Sequence, residues 1–174
     1  MRPHGSIENL SAISMSVEIT PAPSNFAQWE ELLALIHEAF AFQHTRIDPP
    51  SSLHKLDAIS LAAKAREETL LLAVAQENVV GCVFAKPKGA ALYIGKFAVS
   101  PQHQGQGIGR KLLHAAEALA REMVLEAIEL ETRIELTENH ETFKAFGFVK
   151  TSEHAHPGYH RPTSITMRKC IGRE

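Results

Sequence analysis

A chain of 174 residues and 19.2 kDa, 44% hydrophobic and 22% charged, has the size of one domain with a core of its own. No apolar run reaches the ~18 residues of a membrane span, so none is expected. Eighteen basic against twenty acidic residues leave a net charge of -2, too weak a field to gather nucleic acid or an anionic membrane surface. The two cysteines, Cys82 and Cys170, cannot make a disulfide framework; they fit a reducing, cytoplasmic setting, and both fall in apolar segments where buried thiols are expected.

Residues 1–16 lack the continuous apolar core of a secretory signal and show no periodicity, so they are expected to be a flexible tail ahead of one domain over 17–174. Residues 17–20 read as a short strand ended by Pro21 and Pro23. Asn25 is the expected cap of a first helix, with Phe26, Trp29, Leu32, Leu33, Ile36 and Phe40 at helical spacing to about Phe42. After Pro49 and Pro50, Ser51 or Ser52 opens a second helix carrying Leu53, Leu56, Ile59 and Ala63. Residues 69–75 and 79–85 are apolar runs joined across Glu77 and Asn78, a predicted hairpin; Lys86 to Gly89 reads as the next turn and 92–99 as a third strand.

A Gly-rich loop then leads into a long helix with Ile108, Leu112, Ala116, Leu119 and Met123 on one stripe. Residues 127–134 alternate Ile128, Leu130, Thr132 and Ile134 with Glu129, Glu131 and Arg133, the pattern of a strand. Thr137 or Asn139 is the expected cap of a short helix whose apolar side holds Phe143 and Phe146 and which Gly147 stops. Residues 148–151 and 163–171 are the last two strands, with a loop over 152–162. The order is mixed α and β in one unit without internal repeats.

The stretch with chemical content is Val99-Ser100-Pro101-Gln102-His103-Gln104-Gly105-Gln106-Gly107-Ile108-Gly109-Arg110, between a predicted strand and a predicted helix. A helix start leaves backbone N–H groups without partners and carries partial positive charge, so a Gly-rich loop there can cradle an anion. Glycines let the backbone approach a pyrophosphate closely. A Walker A loop needs Lys-Ser or Lys-Thr after its last glycine, where this chain has Arg110-Lys111-Leu112. A dinucleotide fingerprint starting at Gly105 needs a small residue at position 110, which is arginine, and needs βαβ crossovers where hairpins are predicted.

Gln104-Gly105-Gln106-Gly107-Ile108-Gly109 resembles the (Gln or Arg)-x-x-Gly-x-(Gly or Ala) signature of the GNAT superfamily of N-acetyltransferases. Phe97-Ala98-Val99-Ser100-Pro101 is similar to the strand ending that precedes it, and Arg110-Lys111-Leu112-Leu113 to the start of the helix that follows. Phe143 through Gly147-Phe148 resembles the close of the family's second conserved block, and the element order agrees from about Val17 to Ile171. The resemblance implies an α/β (mixed α+β) fold. Its sheet would be central, twisted and mostly antiparallel, with six or seven strands, about four flanking helices and a splayed parallel pair at the cofactor site. It implies acetyl-CoA as cosubstrate, held by backbone of Phe97, Ala98 and Val99 and by Gln104, Gly105, Gln106, Gly107, Ile108, Gly109 and Arg110, with Asn139 and Phe143 as further contacts. The acceptor would be a primary amine on a small molecule or peptide. No nucleic acid, membrane or metal is expected, and the resemblance allows a homodimer.

Direct transfer from a thioester needs an aligned neutral amine, a proton acceptor and an oxyanion donor, for which a backbone N–H near Ala98 or Val99 serves. Two of the family's usual groups are replaced: Phe143 stands where many members have a tyrosine acid, and Gly95-Lys96 where many have a glutamate base. Tyr159 is then a candidate acid, with His156 and Glu129 as further catalytic candidates. His37, Glu38, His154 and His160 are candidate acceptor contacts. Otherwise Glu129 and Glu131 read as the solvated face of a strand. A non-catalytic acyl-CoA-binding module of the same fold is the alternative. A metal enzyme built on His154, His156 and His160 is a third reading.

Overall fold

The computed structural model describes residues 16–172; the expected tail lies outside the described residues apart from Ser16. Strands β1 (Val17–Pro21), β2 (Thr69–Ala75), β3 (Asn78–Lys88), β4 (Ala91–Val99), β5 (Ala127–Arg133), β6 (Val149–His154) and β7 (Ser164–Cys170) form one sheet in the order β1-β2-β3-β4-β5-β7-β6. Every neighbouring pair is antiparallel except β4 and β5. Helices α1 (Trp29–Phe40) and α2 (Ala58–Glu67) cover one face, and α3 (Ile108–Glu122) covers the other; α4 (Thr137–Ala145) leads towards β6.

The apolar stripes explain this layering. Ile108, Leu112, Leu113, Ala116 and Ala120 of α3 are buried against Leu71, Ala73, Leu92, Ile94 and Ile128, residues of strands whose alternate positions point to that face. On the opposite face Leu32, Leu35 and Ile36 of α1 and Leu61 of α2 pack on Leu70, Leu72, Cys82 and Phe84. The sheet is thus buried on both sides at β2 and β3, which is why those strands read as continuous apolar runs.

Several predicted boundaries change. Asn25 caps no helix: the Phe26 N–H donates to Pro23 O at 2.9 Å, and α1 starts at Trp29 with no side-chain cap. The predicted second helix divides. Ser51 caps a short 3-10 turn, Ser52–Lys55, by accepting from the Leu53 N–H, and Asp57 then starts α2 in a reciprocal cap with Ser60. Asp57→Ala is expected to cost about 1 kcal/mol of stability, a loss that urea unfolding would read and that Asp57→Ser would largely avoid.

The turn predicted at Lys86 to Gly89 belongs instead to β3, which runs to Lys88 opposite Ala91. Pro87 is tolerated because β2 begins at Thr69 opposite Ala85, so its missing N–H lies beyond the last β2 pair. Thr137 is the first residue of α4, not its cap, and β6 extends to His154, shortening the expected loop. Gly147, at φ +97, ends the turn after α4 as expected. Cys82 is buried, but Cys170 is exposed at the end of β7.

The β4–β5 pair decides where a site can form. Their parallel register covers Ala91↔Ala127, Leu92↔Ile128 and Tyr93↔Glu129 and then stops. A register shift between Cys82 and Phe84 marks a bulge in β4 around Lys96, whose φ is +50. Bulges sharpen local twist, and here the twist takes the end of β4 away from β5, which stays on β7 as far as Arg133↔Ser164.

Candidate active site

Two features meet at the C-terminal end of β4. The first is an open strand edge, since from Ile94 to Val99 the backbone has no partner on its β5 side. The Ser100 N–H donates to Val80 O at 2.8 Å, and in an antiparallel ladder the preceding residue turns its N–H and C=O the other way. Val99 therefore presents both to the opening, where Gln104 Nε2 donates to its oxygen at 3.3 Å. Ala98 faces β3 instead, with its N–H at the Cys82 sulfur. Burial pushes the Cys82 thiol up to about 12, so this sulfur is no nucleophile near neutral pH.

The second feature is the start of α3. Gly107 caps the helix at φ +78 with no side-chain cap, and Gly105 shares that φ. A Cβ at either would meet nothing within 4 Å, so the loop offers bare, open backbone. The Lys111 N–H donates to Gly107 O at 3.1 Å, which leaves the N–H groups of Ile108, Gly109 and Arg110 without helical acceptors. The first turn has no acid and carries Arg110 and Lys111, charges that a helix N-terminus disfavours and an incoming anion offsets. Gly109 serves packing: a Cβ there would lie 3.2 Å from Phe97 Cζ. Unpaired donors, open backbone and local cations together fit a pyrophosphate.

A cavity of about 880 Å³ joins the open edge to this cradle. All the residues expected to contact the cofactor line it except Gln106. Asn139 and Phe143 close its α4 side, where the Phe143 ring lies 6.1 Å from Phe97 and 5.6 Å from Phe148 in an apolar stack. The Arg110 guanidinium sits 5.0 Å from the Phe146 ring centre.

The candidate catalytic residues separate. The Tyr159 hydroxyl donates to Asp48 Oδ1 at 2.6 Å, and Arg161 Nη2 donates to Asp48 Oδ2 at 3.1 Å, tying the β6–β7 loop to the segment before α2. Tyr159 is not part of the cavity wall, and the bond to Asp48 raises its pKa. Tyr159→Phe is therefore expected to leave the pH dependence of turnover unchanged and to lower the melting temperature slightly; a lost alkaline limb would return the phenol to the chemistry. Glu129 pairs with Arg168 at 3.6 Å and lies outside the cavity wall.

His156 does line the cavity. Thr163 Oγ1 donates its one proton to His154 O at 3.3 Å and accepts the His156 N–H at 2.9 Å. It also contacts His156 Nδ1, and the direction of that bond follows the ring tautomer. With the ring proton on Nδ1, the Nε2 lone pair is free to act as a base. Burial first, and then the Arg133 charge, hold the His156 pKa below its ordinary value, so the ring is neutral near pH 7.

The expected acceptor contacts fall elsewhere. Glu38 Oε1 accepts from Gln102 Nε2 at 3.0 Å, and neither His37 nor Glu38 lines the cavity. His154 Nε2 lies 2.6 Å from Thr166 Oγ1 and 3.5 Å from Glu131, while His160 is exposed. Among the described residues no group of three His, Cys, Asp or Glu is arranged to hold a metal ion. Residues not singled out for the cavity by sequence include Glu131, Arg133, Tyr93 and Lys64, and Lys96 joins them at the position of the missing glutamate. The alternation in β5 already separated Glu131 from Leu130, but it could not tell a cavity wall from a solvated face.

A family model described as the acetyltransferase (GNAT) family matches residues 29–148, and the chain belongs to that family. No curated protein matches it. Among solved structures it is similar to one described as a candidate acyl-CoA N-acyltransferase from Klebsiella pneumoniae. That likeness has 26% identity and a TM-score of 0.63, covering 90% of this chain and 98% of the other. The fold is shared with PaiA N-acetyltransferase from Thermoplasma acidophilum in complex with coenzyme A, at 16% identity and TM-score 0.71 over 90% and 99% of the chains. It is shared too with a GNAT family acetyltransferase from Elizabethkingia anophelis with acetyl-CoA bound, at 18% identity and TM-score 0.63 over 89% and 98%. Among the described residues no helix is long and apolar enough to cross a membrane.

Proposed function

We propose that this chain is an N-acetyltransferase that moves the acetyl group of acetyl-CoA directly to a primary amine of a small molecule or peptide. The observation that carries the reading is the open β4 edge beside an α3 start with free N–H groups, joined by one cavity. Family membership and the two ligand-bound structures of the same fold support it. The free thiols of Cys82 and Cys170 fit the cytoplasmic setting.

Acetyl-CoA supplies an already activated acyl group as a thioester. The backbone donors of Ile108, Gly109 and Arg110 hold the pyrophosphate, and the unpaired backbone of Phe97 and the Val99 carbonyl pair with the amide-containing arm. The Val99 N–H is the donor for negative charge developing on the carbonyl oxygen, because Ala98 is turned to β3. His156 Nε2 accepts the proton of the attacking amine, and the neutral ring needs no prior deprotonation near pH 7. Phe143 cannot donate a proton, so the thiolate departs without acid help from α4, consistent with the modest basicity of thiols.

Acetyl-CoA with purified protein should release free thiol only when a suitable amine is added, with one acetyl group gained by that amine in mass spectrometry. Tight acetyl-CoA binding without thiol release across a wide panel of amines and peptides would contradict transfer.

A further inference from the structure

Lys96 is the residue of the β4 bulge, at φ +50, a backbone conformation uncommon for a lysine. Its neighbours Lys64, Glu68 and Cys82 are on the face covered by α1 and α2. The α3 start, with the phosphate cradle, packs on the opposite face with Leu92 and Ile94. Lys96 thus enters the cavity from the side of the sheet opposite the α3 core.

Within the protein, Glu68 favours the Lys96 charge only from beyond ion-pair distance. Lys64 has a carboxylate, Glu68 Oε2 at 2.6 Å, but Lys96 forms no ion pair among the described residues. Burial, and after it the charge of Lys64, keep its pKa below the ordinary lysine value. Arg133, which also lines the cavity, spends its guanidinium on the carbonyls of Pro49 and Pro50. The cavity's carboxylate is Glu131, on β5, within 3.5 Å of His154 and on the same side as His156. One wall therefore carries two ammonium groups, of which Lys64 is already paired with Glu68, and the wall across the opening carries Glu131, the neutral His156 ring and the Arg133 guanidinium.

An acceptor whose only charge is positive would bring a third cation to a half-buried, unpaired ammonium. An acceptor with an acid group set apart from its amine is attracted at both ends, and its acid supplies the partner that Lys96 lacks. Resting on the transferase reading above, we propose that the amine acceptor carries a carboxylate, bound by Lys96 with Lys64 beside it, while its amine lies at Glu131 and His156. Amino acids whose reacting amine is separated from a free carboxylate by several carbons, such as lysine at its side-chain amine or ω-amino acids, are the substrate class, and simple alkylamines and polyamines are disfavoured.

The test uses matched pairs: lysine with cadaverine, 4-aminobutyrate with propylamine, 5-aminopentanoate with butylamine, and 6-aminohexanoate with pentylamine. Each is added to full-length protein saturated with acetyl-CoA, and both thermal stabilisation and thiol release are read. The expected result is stabilisation by at least one carboxylate-bearing member, with kcat/KM about ten-fold above that of its carboxylate-free partner. In Lys96→Met that preference falls to near parity through KM, Lys96→Arg restores much of it, and acetyl-CoA affinity is retained in both. Equal turnover of the paired amines, a preference that survives Lys96→Met, or no stabilisation by any carboxylate-bearing member overturns the proposal. Stabilisation without thiol release from any amine would instead overturn the transferase reading and leave the acid-binding site standing.

Discussion

Gly107→Glu is expected to weaken acetyl-CoA binding at least 100-fold, about 2.7 kcal/mol, while the domain stays folded. Gly107 sits at φ +78 and a Cβ there would meet nothing within 4 Å, so the new side chain displaces no neighbour. It does enter the space in front of the Ile108, Gly109 and Arg110 N–H groups, and its negative charge satisfies the partial positive charge that an anionic ligand would use. The left-handed backbone makes a non-glycine residue cost about 1–2 kcal/mol, a loss of a few degrees in melting temperature for a domain of this size. Gly107→Asn, a residue that tolerates this backbone region, is the control and should keep most of the affinity. A folded Gly107→Glu protein with undiminished affinity would remove the cradle from this loop.

His156→Gln should lower kcat by about 100-fold, within the range general-base groups contribute, with little change in acetyl-CoA affinity. The native enzyme should gain activity as pH rises through a pKa below the ordinary histidine value and then level off, because burial and Arg133 favour the neutral ring. The sign follows from protonation: acid fills the Nε2 lone pair that accepts the amine's proton, so activity is lost as pH falls. In His156→Gln that acid limb should disappear from the pH profile of kcat. Removing the Nδ1 partner with Thr163→Val frees the tautomer, and should reduce kcat less than His156→Gln does. An unchanged acid limb in His156→Gln would assign the base elsewhere in the cavity, with Glu131 the next group on that wall.

The fold was legible where periodicity is strong. The stripe of Leu112, Ala116 and Leu119 defined α3, the apolar runs defined β2 and much of β3, and the glycine spacing pointed to the loop whose following N–H groups have no helical acceptors. The proposed acceptor half was harder to read because its groups come from separate segments. Lys64 from α2, Lys96 from β4, Glu131 from β5 and His156 from the β6–β7 loop become neighbours only through sheet order and the β4 bulge.

Local chemistry also misleads there. Tyr159 looks like an available acid in sequence, yet Asp48, more than a hundred positions earlier, holds its hydroxyl. Glu129 and Glu131 are chemically identical and two residues apart, yet one is spent on Arg168 and the other reaches the cavity. Pro87 reads as a turn residue, and only the later start of β2 explains how β3 carries it.

Calorimetric titration of the full chain with acetyl-CoA tests the central claim most directly. One cosubstrate molecule should bind per chain, the heat should vanish in Gly107→Glu, and addition of an acceptor amine to the same sample should release thiol. A folded protein that takes up no acetyl-CoA would contradict the account of the open β4 edge and the α3 cradle as one cosubstrate site.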